Sequence, residues 1–482
     1  MAEEPFPGRL LDLLEAAGER TVMEHAGRLV SGRSLLAAVR RVTGGLRAAG
    51  VGPGDGVAMT LGVGPGQLAA VVAAHTVGAR VVGVRPGLTR RQEESLTADV
   101  SFIVTDKPDG AAMLCVGRVL ALEVLLGSRD DGIRPVVAAR PQDVARVLPT
   151  SGSTGEPKSC AQTYGAMTAL WALRPDAWPP VIRELAGRMD RFLVFGTLAS
   201  QVMLDYGLLA LAGGGVLVTA GVPEFPDALV RHRATASVIT VARLARLVAA
   251  VREQPVDLGA LRALMLSGSP PPPGLLREAG ELLGPVVFHG YGQTETGMIS
   301  MAMPEEEPGA LGVPAVDLQV RDADGSSLPP GVDGEIFVRT PGQASGYWGD
   351  PVLSAEVFAE GWVRTRDLGR LDSRGRLWLT GRTRDVVIVN AYVHPLGPVE
   401  RLLAGHPAVA EAYCVAVPDA VAGEAVHAFV VPADGSEVPL LAELRALVAA
   451  ELGVACAPAA VTVIREVPLT AAGKPDKRRL LP

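Results

Sequence analysis

Val57-Ala58-Met59-Thr60-Leu61, a helical segment over 66–78, and then Val81-Val82-Gly83-Val84 set the rhythm of the chain. Each apolar run is too short for a helix and too continuous for a strand with one wet face. Such runs separated by helices imply parallel strands joined by crossovers, hence a sheet covered on both faces. The rhythm continues at Phe102–Val104. It returns at Phe192–Phe195, helix 201–212, Val216–Thr219, Val238–Thr240, Ala263–Leu266 and Val286–Phe288. Upstream, residues 9–50 read as helix, turn, helix, with Leu10, Leu11, Leu13 and Leu14 forming one apolar stripe and Leu35 to Leu46 the other.

After about residue 310 the texture changes. Asp324-Gly325, Gly331-Val332-Asp333-Gly334 and Ser373-Arg374-Gly375 punctuate short strands, as expected of a small antiparallel, barrel-like unit. From Arg384 a compact α+β module is expected: helix 396–404, strands 409–417 and 425–431, helix 439–452 and strand 461–467. The predicted organisation is an α/β N-terminal domain over 1–383 and a small mobile α+β domain over 384–482. A chain of 482 residues exceeds one ordinary core, which agrees with that division.

Composition narrows the function. Hydrophobic residues make up 48% and charged residues 20%, a globular balance. The net charge of -7 comes without a dense cationic run before the last residues, so nucleic acid is not expected as a partner. Cys115, Cys160, Cys414 and Cys456 lack paired spacing and read as incidental thiols suited to a reducing compartment. Glu3, Glu4 and two prolines open the chain where a signal peptide would be basic and apolar. The most apolar stretch, Gly207 to Val222, is glycine-rich and shorter than the roughly 20 residues that span a bilayer. A cytoplasmic protein without a membrane span is expected.

Chemistry concentrates in Leu148-Pro149-Thr150-Ser151-Gly152-Ser153-Thr154-Gly155-Glu156-Pro157-Lys158. Hydroxyl residues interleaved with glycines and closed by a lysine make a donor-rich loop that suits polyphosphate. Pro157 before Lys158 breaks the P-loop pattern, and Gly-x-Ser-x-Gly is absent. Taken alone, a surface loop of small polar residues remains an alternative.

The loop resembles the signature of the adenylate-forming superfamily of acyl-CoA synthetases, nonribosomal-peptide adenylation domains and luciferases, and other motifs occur in the same order. Gly52-Pro53-Gly54-Asp55 is similar to an N-terminal landmark, and Tyr291-Gly292-Gln293-Thr294-Glu295-Thr296 to the adenine and magnesium motif. Trp362 to Gly369 with Gly381-Arg382 resembles the ribose-binding pair, and Pro468-Leu469-Thr470 with Gly473-Lys474 the terminal lysine motif. The resemblance implies ATP, Mg²⁺ and a small carboxylic acid as reactants, with CoA the expected co-substrate or an acyl carrier protein the acceptor.

It also implies roles. Thr150, Ser151, Gly152, Ser153, Thr154, Gly155 and Lys158 would hold the β- and γ-phosphates. Gly268, Ser269, His289, Gly290, Tyr291 and Gly292 would line the adenine, and Thr294 would bond the α-phosphate. Glu295 would ligate Mg²⁺, a hard cation that takes carboxylate and phosphate oxygens. Asp367 would accept the two ribose hydroxyls. Arg382 would reach ribose or phosphate, and Lys474 would bridge the attacking carboxylate and the α-phosphate. Without the resemblance, Asp367 reads as a turn cap, Arg382 as a linker charge, and Lys474, beside Lys477, Arg478 and Arg479, as part of a solvated tail.

Departures from the pattern bear on the step after adenylation. Ser159 and Arg366 stand where the family usually has glycine, and the hinge falls on Arg384. Asn390-Ala391 replaces a glycine turn that approaches a thiol. No Asp lies near Ser200 to bind an α-amine, Asp205 being five residues on, so a non-amino, hydrophobic acid is expected. Its pocket would draw on Ala199–Met203, Thr240–Arg243 and Gly297–Ser300. An enzyme that stops at the adenylate, or a nucleotide-binding paralogue without activity, is the alternative.

Overall fold

The structure, a computed structural model, describes the chain except residues 1–2, 85–89, 108–116, 151–157, 196, 199, 221–224, 255, 269–270, 272, 384, 390–391, 420–421, 434–440, 470–474 and 482. Two large mixed sheets form the body. One has eight strands, ordered Gly297–Ala302, Val287–Gln293, Ala263–Leu266, Ala236–Ile239, Arg191–Phe195, Val216–Ala220, Thr21–His25, Arg28–Ser31. The other has seven, ordered Gly346–Tyr347, Lys158–Thr163, Val144–Thr150, Arg80–Gly83, Gly56–Thr60, Phe102–Thr105, Arg118–Ala121. The eight-stranded sheet is parallel at its centre and antiparallel at both margins, whereas the seven-stranded sheet is parallel from Val144–Thr150 to Arg118–Ala121 and antiparallel at its other margin.

The helices arise from the apolar runs. Pro65–Thr76 is buried from Gln67 onward, and Gln201–Ala212 is buried from Met203 to Leu211. A helix that is apolar all round belongs inside. One core runs from Val57 and Met59 in the seven-stranded sheet through Leu68 and Leu208 to Phe192 and Leu217 in the eight-stranded sheet. A buried ion pair, Arg146 Nη2 to Asp205 Oδ1 at 3.4 Å, also links strand Val144–Thr150 to helix Gln201–Ala212.

One correction concerns the N-terminal segment. Between helices Gly8–Ala17 and Gly32–Ala48 lies a two-stranded hairpin, not a simple turn. Ala26 and Gly27 take φ of 49° and 74°, the left-handed pair that a tight hairpin turn requires. Strand Thr21–His25 then pairs in parallel with Val216–Ala220, Met23 opposite Leu217.

The antiparallel unit comprises Asp317–Arg321, Gly334–Arg339, Phe358–Ala359, Trp362–Leu371 and Leu377–Arg382. It packs Ile336, Val338 and Leu377 against Tyr291 and Ile299, tying it to the end of the eight-stranded sheet. Residues from Val386 onward build a fourth sheet of Tyr392–Pro395, Val386–Val389, Gly423–Pro432, Val409–Asp419 and Ala460–Val463, with helices Leu396–Ala404 and Leu441–Leu452. Its own core contains Val387, Val399, Leu403, Cys414, Val430, Leu444 and Val448. Arg401 Nη2 donates to the Thr380 carbonyl at 3.3 Å, touching the antiparallel unit. Among the described residues no helix is long and apolar enough to cross a membrane.

Candidate active site

Parallel strands Arg191–Phe195, Ala236–Ile239, Ala263–Leu266 and Val287–Gln293 all end on one edge, where ligands of open α/β sheets gather. Strand Val287–Gln293 reverses there through Thr294-Glu295-Thr296 into Gly297–Ala302. The reversal is tight: a Cβ on Gly292 would come within 2.3 Å of the Gly297 carbonyl. Thr296 closes the turn, its Oγ1 accepting from the Gln293 N–H at 3.3 Å. Thr294 is therefore held half-buried on a short, braced turn.

Asp367 is where several elements meet. Tyr291 Oη and Gln293 Nε2 each donate to Oδ2 at 2.6 Å, and Arg382 Nε lies 2.7 Å from Oδ1. Strand pairing sets this up, since Asp367 and Arg382 are register partners. The Asp367 side chain is 3% exposed and the Arg382 side chain 65% exposed, so the carboxylate is fixed from beneath and covered by a movable arginine. Burial and the adjacent carboxylate push the Tyr291 phenol well above its ordinary pKa, so it remains a donor. Sequence reasoning anticipated a free double acceptor; here both oxygens already have partners. A carboxylate offers about four lone-pair sites, so Oδ1 retains one and regains another if Arg382 swings away.

A second cluster centres on Tyr347, which the sequence did not single out. Its hydroxyl donates to Glu295 Oε1 at 2.7 Å, and Ala344 N–H donates to the Glu295 carbonyl at 2.8 Å. Strand Gly346–Tyr347 pairs with Lys158–Thr163, and Lys158 Nζ stands 5.7 Å from the Tyr347 ring centre. The lysine that closes the donor-rich loop and the carboxylate of the turn thus share one tyrosine. Thr150 and Lys158 are register partners, so the two ends of that loop meet. Ser151, Gly152, Ser153, Thr154 and Gly155 lie outside the described residues, as do Ser269, Arg384, Asn390, Ala391 and Lys474.

His289 lies on strand Val287–Gln293 opposite Leu266, its Nδ1 buried without a partner among the described residues. Burial pulls its pKa down to about 4, so it is neutral near pH 7 and offers an imidazole nitrogen to an incoming group. Gly268 takes φ of 114° just past strand Ala263–Leu266. A Cβ on Gly290 would meet Met265 Sδ at 3.1 Å. On the acid side, buried Gln67 donates to the Leu61 carbonyl at 2.9 Å and to Thr197 Oγ1 at 2.8 Å, and accepts from Leu198 N–H at 2.9 Å. Asp205 faces Arg146 in the interior, away from any amine-binding role.

The donor set suits magnesium carried in by phosphates. Among the described residues no group of three or more His, Cys, Asp or Glu side chains converges on a point, and the turn offers the single carboxylate of Glu295. Mg²⁺ keeps water and phosphate oxygens and needs only one or two protein carboxylates.

A strand and turn that carry an orphaned imidazole, hold a buried carboxylate and reach the tyrosine beside Lys158 fit an enzyme that activates substrates with a nucleotide. Residues 14–348 match the AMP-binding enzyme family and residues 398–474 its C-terminal domain, so the chain belongs to that family and is an AMP-forming ligase. Feruloyl-CoA synthase of an Amycolatopsis species is 31% identical over 472 residues, covering 94% of both chains. The amide bond synthetase of Marinactinospora thermotolerans is 32% identical, with a TM-score of 0.87 and 98% of each chain covered. The O-succinylbenzoate coenzyme A synthetase of Bacillus subtilis, solved with ATP and magnesium, is 26% identical with a TM-score of 0.83, covering 99% of this chain and 100% of that one.

Proposed function

We propose that this ligase activates a non-amino, hydrophobic carboxylic acid and passes the acyl group to the thiol of CoA. An acid oxygen attacks the α-phosphorus of ATP, the bond from that phosphorus to the β-phosphate oxygen breaks, and pyrophosphate leaves. The thiol then displaces AMP from the acyl-adenylate. Two anions must meet in the first step, so positioning and charge neutralisation dominate.

In this reading Thr150, Lys158 and the loop between them hold the β- and γ-phosphates, and Thr294 holds the α-phosphate. Glu295 ligates Mg²⁺, with Tyr347 orienting it. Gly268, His289, Gly290, Tyr291 and Gly292 face the adenine. Asp367 takes the ribose, and Lys474 neutralises the charge that builds between acid and phosphate. Residues 1–383 form the ATP- and acid-binding domain, and residues 384–482 swing to bring Lys474 in and out. The cytoplasm is the proposed compartment. The observation that carries this reading is that one strand-and-turn, Val287–Gln293 with Thr294-Glu295-Thr296, both holds Asp367 of the neighbouring antiparallel unit through Tyr291 and Gln293 and carries Glu295, which Tyr347 holds in turn.

A second reading has the adenylate handed to an amine or a carrier protein. The likeness to an amide bond synthetase and the Asn390-Ala391 departure favour it. Pyrophosphate release across a broad acid panel, with and without CoA, separates the two. Acid-dependent release with acyl-CoA formation supports the first. Release with acyl-AMP accumulating despite CoA supports the second, and no release with any acid removes both.

A further inference from the structure

Most half-buried arginines of this molecule meet a carboxylate or a carbonyl oxygen: Arg40 meets Asp130, Arg134 meets Glu4, Arg191 meets Glu24 and Arg401 the Thr380 carbonyl. Arg243 does not. It occupies the first turn of helix Val241–Glu253, capped by Thr240, which leaves the ligand edge of strand Ala236–Ile239. Its guanidinium carbon lies 5.1 Å from the ring centre of Phe195 and 5.8 Å from that of Phe225. Those rings are themselves buried and packed edge to face at 5.6 Å. Among the described residues Arg243 has no acidic partner, and none of its side-chain N–H groups makes a hydrogen bond. Its pKa is drawn below the usual arginine value by burial and by the charge of Arg246, as befits a cation lacking an anion.

A guanidinium resting on two phenyl faces is gripped through its plane, which leaves its N–H edge to a planar oxyanion. The place matters as much as the charge. Arg243 itself belongs to the expected acid pocket, and Phe195 ends the strand whose continuation, Thr197 and Leu198, is held by Gln67 and precedes another part of that pocket, residues 200–203. Apolar surroundings alone would select a plain hydrophobic acid, whereas a half-buried arginine with no anion of its own offers a cation to a substrate.

The geometry points to Arg243 as a specificity-determining residue that binds a second carboxylate, at the far end of the substrate from the carboxyl that is adenylated. The substrate class is therefore an aryl or alkyl dicarboxylic acid with an apolar middle. This rests on the acid-activating reading above and sharpens it.

The test compares matched acids in the pyrophosphate-release assay: 3-phenylpropanoate against 3-(4-carboxyphenyl)propanoate, and octanoate against octanedioate. In at least one pair the diacid should exceed its monoacid at least tenfold in kcat/KM. Arg243→Met should cut the diacid value by tenfold or more and leave the monoacid within about threefold, while Arg243→Lys recovers part of the loss. Monoacids used as well as diacids, or both falling together in Arg243→Met at unchanged melting temperature, overturn the inference and leave acid activation standing. A loss in Arg243→Met seen with CoA but not with dephospho-CoA also overturns it, because the arginine would then serve the cofactor's phosphate. No release with any acid overturns activation and this inference together.

Discussion

Arg382 lies across Asp367, its Nε 2.7 Å from Oδ1, while Tyr291 and Gln293 hold the opposite oxygen. The two halves of this contact differ in character. Beneath, the phenol is buried and the amide half-buried; above, the arginine is largely exposed. Asp367 is thus oriented by the fold and only shielded by Arg382.

Asp367→Asn should damage both fold and function. An amide offers one acceptor and two donors, so one of its faces would oppose Tyr291 and Gln293 or else Arg382. An unmatched buried group costs about 1–3 kcal/mol, which thermal melting would reveal. If the ribose binds here, the KM for ATP should rise at least tenfold, about 1.4 kcal/mol. Arg382→Ala takes the cation from a buried carboxylate that Tyr291 and Gln293 still hold, so it should lower the melting temperature as well as raise the KM. An unaltered KM in both variants would remove the ribose assignment.

How much of the molecule is legible in its sequence depends on how local each signal is. Strands Gly56–Thr60 and Ala263–Leu266 and helix Gln201–Ala212 announce themselves because burial on both faces leaves a continuous apolar run. The hairpin Thr21–Ser31 does not. Glu24, His25 and Arg28 break its pattern, and the partner that makes it part of a sheet, Leu217, is nearly two hundred residues away. The same holds at the site. Tyr291, Asp367 and Arg382 could be named from their motifs, but their mutual contacts come from strand register. Tyr347 carries no local mark of its role, which exists only because strand Gly346–Tyr347 joins the lysine-bearing strand.

Arg366, in place of the usual glycine, has a measurable consequence. Its φ of 61° is left-handed, costing a non-glycine residue roughly 1 kcal/mol. Its side chain meets Glu356 at 2.6 Å, and its carbonyl accepts from the Thr383 N–H at 2.9 Å. Arg366→Gly loses the ion pair but relieves the backbone, so stability should change by less than about 1 kcal/mol. Arg366→Ala loses the pair and keeps the strain. It should be the less stable of the two by about 1 kcal/mol in urea unfolding. Equal stability of the two variants would show that the backbone there relaxes at no cost.

Two buried histidines set an acid limb. Burial lowers His75 to about 3 and His289 to about 4, from about 6.5. Both are depressed, so their contribution is complete above pH 6.5 and lost as the pH falls toward those values, because the unfolded chain takes up protons first. Between pH 6.5 and 5 each adds a slope of up to about 1.4 kcal/mol per pH unit. His75 packs edge-on between Phe6 and Tyr164, so His75→Leu keeps an apolar group there and removes one titration. Urea unfolding of that variant at pH 7, 6 and 5 should show a shallower slope than the wild type. An unchanged slope would mean that His75 is protonated in the folded protein or that other groups dominate.

The two lysines near the C-terminus should fail in different ways. Lys477 is no solvated tail residue: it contacts Asp385, and its Nζ is 2.6 Å from Glu400 Oε1. That same Glu400 oxygen accepts from the Cys414 N–H at 2.6 Å, and burial pushes its carboxyl above the ordinary value. Leu469 bridges Pro475 and Asp476 N–H donates to the Pro468 carbonyl, so the residues on either side of 470–474 meet each other. Lys477→Met would strand two carboxylates, one of them buried, at a cost of about 3 kcal/mol. The C-terminal sheet should melt earlier, with ATP–pyrophosphate exchange falling in step with the folded fraction. Lys474→Ala should leave the melting curve and ATP binding intact while pyrophosphate release drops by several orders of magnitude, as loss of a contact made only in the transition state requires. Near-normal turnover in Lys474→Ala would sink that assignment. A Lys477→Met protein that melts like wild type yet loses exchange would instead move the chemistry three residues along, to the lysine that the structure places among carboxylates.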